Sequence, residues 1–243
     1  MSLRCWRPIC AAIVHWPRRH ARSVDERLTM EPIGIFGGTF DPIHVGHLRT
    51  AFELWQALHL NEVRFLPTGN PPHRSETRAN AELRLAMVRA AVAGQAGFVV
   101  DDREVRRTGL SYSVDTLTEL RQENPDRSLC VLMGMDAFLG LPNWHRWREV
   151  LDLAHIVVVH RPGWRAPAQG PLGEVMVDRG TGSVRDLHSR LAGNVYVHVP
   201  TQLEISSTEL RQLIEAGRDP RYLVPDPVRS IILETGCYAQ RGR

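Results

Sequence analysis

GIFGGTFDPIHVGH, Gly34 to His47, sets two adjacent glycines, an aspartate–proline pair and two histidines three residues apart within one short stretch. The apolar run Pro32–Gly37 reads as a buried strand, and Leu48–Leu60 carries apolar residues at helical spacing. The stretch is therefore the turn from a first strand into a first helix that starts at about Val45. Three readings compete for it. As plain punctuation, glycine pairs follow many strands, Asp41–Pro42 is an everyday turn dipeptide, and His44 and His47 are surface residues of a helix start. As a zinc site it supplies two ligands where three or four are needed, and no third His, Cys or carboxylate has suggestive spacing. As a phosphate cradle it uses more of its residues. Gly37 and Gly38 let a polyanion approach the backbone, and Gly46 keeps the helix entry open. The helix start presents N–H groups and a positive dipole end, beside which His44 and His47 add side-chain donors.

Outward from this turn, strands and helices alternate. Glu62–Pro67 reads as a strand, Ala81–Gly94 as a helix closed by glycine, and Gly97–Asp102 as a strand. Ser113–Asn124 reads as a helix stopped before Pro125, Ser128–Gly134 as a buried strand, Trp147–Ala154 as a helix, and His155–Gly163 as a strand with a turn. Trp164–Gly182, rich in glycine and proline, is expected to be an irregular insertion. Ser183–Gly193 follows as a helix, Asn194–Pro200 as a strand and Ser206–Gly217 as a serine-capped helix. The last helix has Asp226 as N-cap, Pro227 in the first turn and Gly236 as stop. Such alternation implies an α/β fold, a doubly wound and mainly parallel sheet covered by helices on both faces. These sheets bind ligands beyond the carboxyl ends of their strands, where the opening stretch falls.

Composition narrows the class. With 43% hydrophobic and 23% charged residues over 243 positions, the chain reads as an ordinary soluble globular protein, and no apolar run is long enough to span a bilayer. Cys5, Cys10, Cys130 and Cys237 form no CxxC pair, so neither a disulfide framework nor a cysteine zinc site is expected, and a reducing cytoplasm fits. The net charge of +3 misleads, because residues 1–29 hold six arginines against Asp25 and Glu26. The remaining 24 arginines face 25 acids, so the body is not expected to bind nucleic acid. Residues 1–29 are expected to be an over-read or disordered extension ahead of Met30, a targeting or interaction segment being the alternative. Residues 30–243 are expected to form one domain.

Further blocks follow in order: PTGNPPHR (Pro67–Arg74), SYSVDTL (Ser111–Leu117), GMDAF (Gly134–Phe138), LPNW (Leu141–Trp144), HRPG (His160–Gly163) and ISSTELR (Ile205–Arg211). With GGTFDPIHVGH they resemble bacterial nicotinate-nucleotide adenylyltransferases of the HxGH nucleotidyltransferase superfamily, whose fold is Rossmann-like. The resemblance covers Ile33 to Tyr238; leucine at Leu210 and methionine at Met135 are small departures, and the extension has no counterpart.

What the resemblance implies is adenylyl transfer from ATP to nicotinate mononucleotide, giving nicotinate adenine dinucleotide and pyrophosphate in NAD biosynthesis. His44, His47 and Arg211 become the catalytic candidates. ATP is expected on Gly37, Gly38, Thr39, Phe40, His44, His47, Gly134, Asp136, Ile205, Ser206, Ser207, Thr208 and Arg211. The mononucleotide is expected on Thr68, His73, Arg74, Tyr112, Ser113, Trp144 and Arg161. Trp144 matches the ring-stacking position, whereas Trp55 and Trp147 are expected to pack in or near the core. Mg²⁺ is expected on ATP oxygens and water, without a protein cage. A related transferase acting on another phosphate substrate, or a catalytically silent nucleotide sensor, remains open; so does homo-oligomer formation. A class I synthetase fragment would need a KMSKS-like element, and this chain has no lysine.

Overall fold

The alternation is realised as seven parallel strands. The structure is a computed structural model that describes residues 31–70, 77–160, 167–201 and 203–240; the expected extension 1–29 and the candidates His73, Arg74 and Arg161 lie outside the described residues. In chain order the elements are β1 (Ile33–Gly38), α1 (Val45–Ala57), β2 (Glu62–Pro67), α2 (Ala81–Val92), β3 (Phe98–Val100), α3 (Arg103–Arg106) and α4 (Ser113–Glu123). Then come β4 (Leu129–Gly134), α5 (Met135–Leu139), a single 3-10 turn (Leu141–Asn143), α6 (Trp147–Leu153) and β5 (His155–Val159). The chain continues through α7 (Gly170–Arg179), β6 (Gly180–Thr181), α8 (Val184–Ser189), β7 (Val195–His198), α9 (Ser207–Glu215) and α10 (Asp226–Thr235).

The sheet order is β3-β2-β1-β4-β5-β7-β6. From β1 the chain winds outward through β2 and β3, then crosses back to start β4 on the other side of β1. The switch point thus lies between β1 and β4, paired from Ile33↔Leu129 to Ile35↔Val131. Period-two burial divides β1 between two cores: Phe36 joins Val63, Phe65 and Leu54 on one face, while Ile33 and Ile35 join Leu66, Val131 and Phe138 on the other. Gly34 allows close packing on the first face, since a Cβ there would meet Leu60 at 2.8 Å and Leu132 at 3.2 Å. Among the described residues no helix is long and apolar enough to cross a membrane.

Two expectations are corrected. Residues 170–181 of the supposed insertion form α7 and edge strand β6. Pro171 reads as a breaker but sits in the first turn, where no intrahelical N–H is required, and Leu172 and Gly173 are buried. Pro225, not Asp226, is the N-cap of α10; Asp226 occupies the first turn, where its charge suits the helix dipole. Gly236 does end that helix, in the left-handed conformation at φ 59°.

His155 is a fully buried polar residue at the amino end of β5. Its Nδ1 accepts from the Asn194 N–H at 2.9 Å and its Nε2 lies 2.9 Å from the Arg190 carbonyl, which fixes the neutral Nε2–H tautomer. Burial holds its pKa below the ordinary 6.5; the hydrogen bond to the Arg190 carbonyl and the Asp186 charge oppose this, and the Arg121 and Arg190 charges reinforce it. The unfolded chain therefore takes up the proton first as pH falls. Stability from this group is complete above about pH 6.5 and is lost below it, by at most about 1.4 kcal/mol per pH unit. Urea unfolding of wild type and His155→Gln from pH 8 to pH 5 should show the wild-type advantage shrinking. Parallel curves would exclude the linkage.

Candidate active site

The carboxyl ends of β1 and β4 carry Gly37 and Gly134, both exposed and both with nothing within 4 Å of where a Cβ would stand. Bare backbone therefore faces the crevice on each side of the switch point. After Gly38 the chain turns through Phe40, held at φ 49° with its side chain buried. Its ring packs edge-on against Phe36 (5.8 Å) and His47 (5.2 Å). A Cβ at Gly38 would touch that ring at 3.1 Å. Phe40 is thus the floor beneath the histidines, and only its backbone can serve a ligand.

His44 is the extended N-cap of α1 and is buried; His47 occupies the third helical position and is half-buried. Their rings stack with centroids 3.7 Å apart. The His44 N–H donates to His47 Nδ1 at 3.3 Å. An accepting Nδ1 places the proton of the neutral His47 ring on Nε2, leaving that edge a donor. The sequence supplies this through the three-residue spacing of HVGH, which reproduces the reciprocal geometry of a capping box.

A second helix N-terminus meets the first. The Ser207 hydroxyl donates to the Pro42 carbonyl at 3.0 Å, and Arg211 Nη1 donates to the Asp41 carbonyl at 2.7 Å. Ile205 lies 3.7 Å from where a Gly46 Cβ would stand, so α9 begins against the start of α1. Ser206 is the N-cap of α9: its hydroxyl accepts from the Glu209 N–H at 3.2 Å and donates to the Glu209 carboxylate at 2.8 Å. Its local reading as a serine cap is realised. Thr208 Oγ1 accepts from Arg211 Nη2 at 3.2 Å. Two helix dipoles thus converge on one crevice, an arrangement suited to a polyphosphate. Behind Arg211 lies a cavity of about 260 Å³ lined by Asp41, Arg78, Thr208, Gln212 and Glu215.

Asp41 holds the turn in place. Its buried carboxylate accepts from the Arg78 N–H (2.9 Å), the Ala79 N–H (3.2 Å) and the Tyr238 hydroxyl (2.7 Å). Burial and the neighbouring carboxylate push the Tyr238 phenol up, so it stays a donor. Sequence reading missed Tyr238, which lies 197 residues from its partner; an aromatic residue gives no local sign of such a bond. Tyr238→Phe should cost about 1.5–3 kcal/mol, as for a hydrogen bond to a charged group, read from the shift in urea midpoint. An unmoved midpoint would show that the bond adds nothing.

On the other flank, Thr68 and Gly69 follow β2. The Asn70 carbonyl accepts from the Ser111 N–H at 2.9 Å, and a Cβ at Gly69 would collide with the Glu104 carbonyl at 2.1 Å. This binds the loop to α3 and to the start of α4. Tyr112 is the N-cap of α4 and provides no side-chain cap, so the first turn beginning at Ser113 presents backbone donors. The Thr116 hydroxyl donates to buried Glu104 at 2.8 Å and accepts from Arg107 at 2.9 Å, bracing that turn; burial pushes the Glu104 carboxyl up. The Tyr112 ring packs on His145 at 4.6 Å. Trp144, next in the chain to His145, is half-buried against the same core cluster as Tyr112. Tyr112, Ser113 and Trp144 therefore share one flank, with His145 a member that no motif pointed to. Trp147 is buried beneath the Arg148 guanidinium, and Trp55 is half-buried against Phe52, as expected of core residues. Asp136, in the first turn of α5, is exposed beside Gly134.

A crevice at the switch point of a parallel sheet is where open α/β proteins bind their ligands, and residues 35–213 match the cytidylyltransferase-like family, which places the chain in the nucleotidyltransferase class. Among curated proteins, a "Probable nicotinate-nucleotide adenylyltransferase" of Aeromonas hydrophila subsp. hydrophila is 51% identical over 207 residues, covering 85% of this chain and 97% of that one. A protein of the same name from Hahella chejuensis is 50% identical over 209 residues, covering 85% and 95%. The chain belongs to the nicotinate-nucleotide adenylyltransferase family. The fold agrees with that of Plasmodium falciparum nicotinic acid mononucleotide adenylyltransferase complexed with NaAD, at TM-score 0.65 and 16% identity over 86% of this chain and 97% of that one.

Proposed function

We infer that the chain transfers the adenylyl group of ATP to nicotinate mononucleotide, a step of NAD biosynthesis, with residues 30–243 acting as one nucleotidyltransferase domain. The observation that carries this reading is the stacked His44–His47 pair on a helix N-terminus at the switch point. The nucleophile is the mononucleotide's phosphate, an anion at neutral pH, so no side chain need deprotonate it. Its oxygen bonds to the α-phosphorus of ATP in line with the bond to the β-phosphate, which breaks to release pyrophosphate. The barrier is the approach of one anion to another, and catalysis is positioning plus electrostatic relief.

His47 Nε2–H is assigned to the α-phosphate, where charge builds. His44, the bare backbone at Gly37 and Gly38 and the first turn of α9 hold the phosphates, and Arg211 braces Asp41 and Thr208 behind them. Gly134 and Asp136 flank the nucleoside side. Among the described residues no group of three or more His, Cys, Asp or Glu side chains converges to hold a metal. Donors of the kind present here, imidazole, hydroxyl and backbone N–H, suit phosphate; a Mg²⁺ arriving with ATP would be ligated by phosphate oxygens and water. Bound there, it neutralises triphosphate charge.

The mononucleotide is assigned to the flank of Thr68, Tyr112, Ser113 and Trp144. A cationic pyridinium suits the face of the Trp144 indole, and its carboxylate suits the N–H donors at the start of α4. Cytoplasmic placement is part of the proposal and is supported by the free thiols Cys130 and Cys237. Pyrophosphate release in a coupled assay with ATP and nicotinate mononucleotide tests the whole. Turnover with another phosphate substrate in its place would overturn the assignment.

A further inference from the structure

Arg84 is fully buried on the core face of α2, beside Leu85, Met87 and Val88. An arginine so placed needs partners for its donors, and each partner found here is a backbone carbonyl at the edge of the crevice. Nη1 donates to Thr39 at 2.6 Å; Nη2 donates to Thr68 at 2.7 Å and Gly69 at 3.2 Å; Nε donates to Ala79 at 3.2 Å. Thr39 leaves the end of β1 on the ATP side, and Thr68 and Gly69 leave β2 on the mononucleotide side. One rigid, planar guanidinium therefore spans the two loops that carry the two substrates. Asp41, whose turn it adjoins, supplies the facing negative charge.

We propose that Arg84 is a positioning residue that sets the distance between the ATP loop and the mononucleotide loop, and hence the reach of the attacking phosphate to the α-phosphorus. It touches neither substrate. Its effect should therefore fall on the joint geometry of the ternary complex and not on either binding step alone. Lysine keeps the charge but has a single nitrogen and no fork, so it cannot hold carbonyls of both loops at their present separation. This proposal rests on the assignment of the two flanks given above.

The fold supplies its own control. Arg121, on α4, makes the same kind of cluster at the opposite, amino end of the sheet, donating to the carbonyls of Leu153, Asn124, Arg127 and Leu191. If such clusters only stabilise the fold, Arg84→Lys and Arg121→Lys should behave alike. We expect Arg84→Lys to lower kcat about 10- to 100-fold, the scale of a displacement near 1 Å, with the Kd of ATP alone and of nicotinate mononucleotide alone each within about threefold. Arg121→Lys should leave kcat within about threefold while losing thermal stability. Adding Arg84→Met, which keeps the volume without any donor, should lower kcat further.

Unchanged kcat in a folded Arg84→Lys protein would overturn the proposal, as would a loss confined to the Kd of one substrate. Failure of both Arg84 variants to fold would assign the residue to stability and overturn it equally. A wild-type enzyme with no adenylyl transfer would instead sink the underlying functional reading, which the same assay registers separately.

Discussion

His47→Ala lowers kcat by about two to three orders of magnitude and leaves the fold and the KM for ATP nearly unchanged. That is the expected result, and each part has its own cause. The His47 ring is fixed before substrate arrives by the stack on His44, the edge contact with Phe40 and the hydrogen bond at Nδ1. A donor held in place requires no reorganisation when charge accumulates on the transferring phosphate. Losing one such preorganised donor typically costs about 10²–10³ in rate. On the proposed assignment, ground-state binding of the triphosphate draws on many donors, from Gly37 to the first turn of α9, so the KM should move little. An effect on kcat without KM is the signature of an interaction made mainly in the transition state. The half-buried ring is not part of the apolar core, so circular dichroism and the melting temperature should report a folded protein. An unchanged kcat in that folded protein would remove His47 from the chemistry.

The placement of the histidines was legible because it is set locally. A strand, a glycine turn and a helix start occupy one short stretch, and the positions of His44 and His47 on the helix follow from its first turn. The strands β2 and β4 and the helix α4 were legible for a similar reason, since burial imposes periodicity on neighbouring residues. What escaped has a different physical origin. Tyr238 reaches Asp41 only through tertiary folding, and nothing around it marks that contact. Helix α7 was hidden because glycine and proline serve equally well in its first turn and in an irregular loop. Arg84 did leave a trace, an arginine on the apolar stripe of α2, but the stripe alone does not say which carbonyls it meets. Helices α3 and α5 are too short to show a period.

Nicotinate mononucleotide should be preferred over the nicotinamide form by roughly ten- to a thousandfold in kcat/KM. The preference is expected from the start of α4, where Tyr112 adds no side-chain cap and the first turn at Ser113 presents N–H donors beside the Ser113 hydroxyl. A carboxylate accepts from all of them. An amide must turn its own NH₂ toward some of these donors or leave N–H groups unpaired. Each unpaired buried donor costs about 1–3 kcal/mol, and one or two such mismatches give the stated range. The ring itself should discriminate less, because both mononucleotides carry the same cationic pyridinium. Trp144→Ala should therefore weaken binding of either mononucleotide by a similar factor, about five- to thirtyfold for a desolvated cation–π contact of 1–2 kcal/mol. ATP binding should be spared, since the proposal assigns its phosphates to the far side of the switch point, over Gly37 and the histidines. Steady-state kinetics with both mononucleotides, in wild type and in Trp144→Ala, separates the two contributions. Equal kcat/KM for acid and amide would remove the α4 donors from the recognition site. A Trp144→Ala enzyme impaired chiefly for ATP would place the two substrates on the opposite flanks of the crevice.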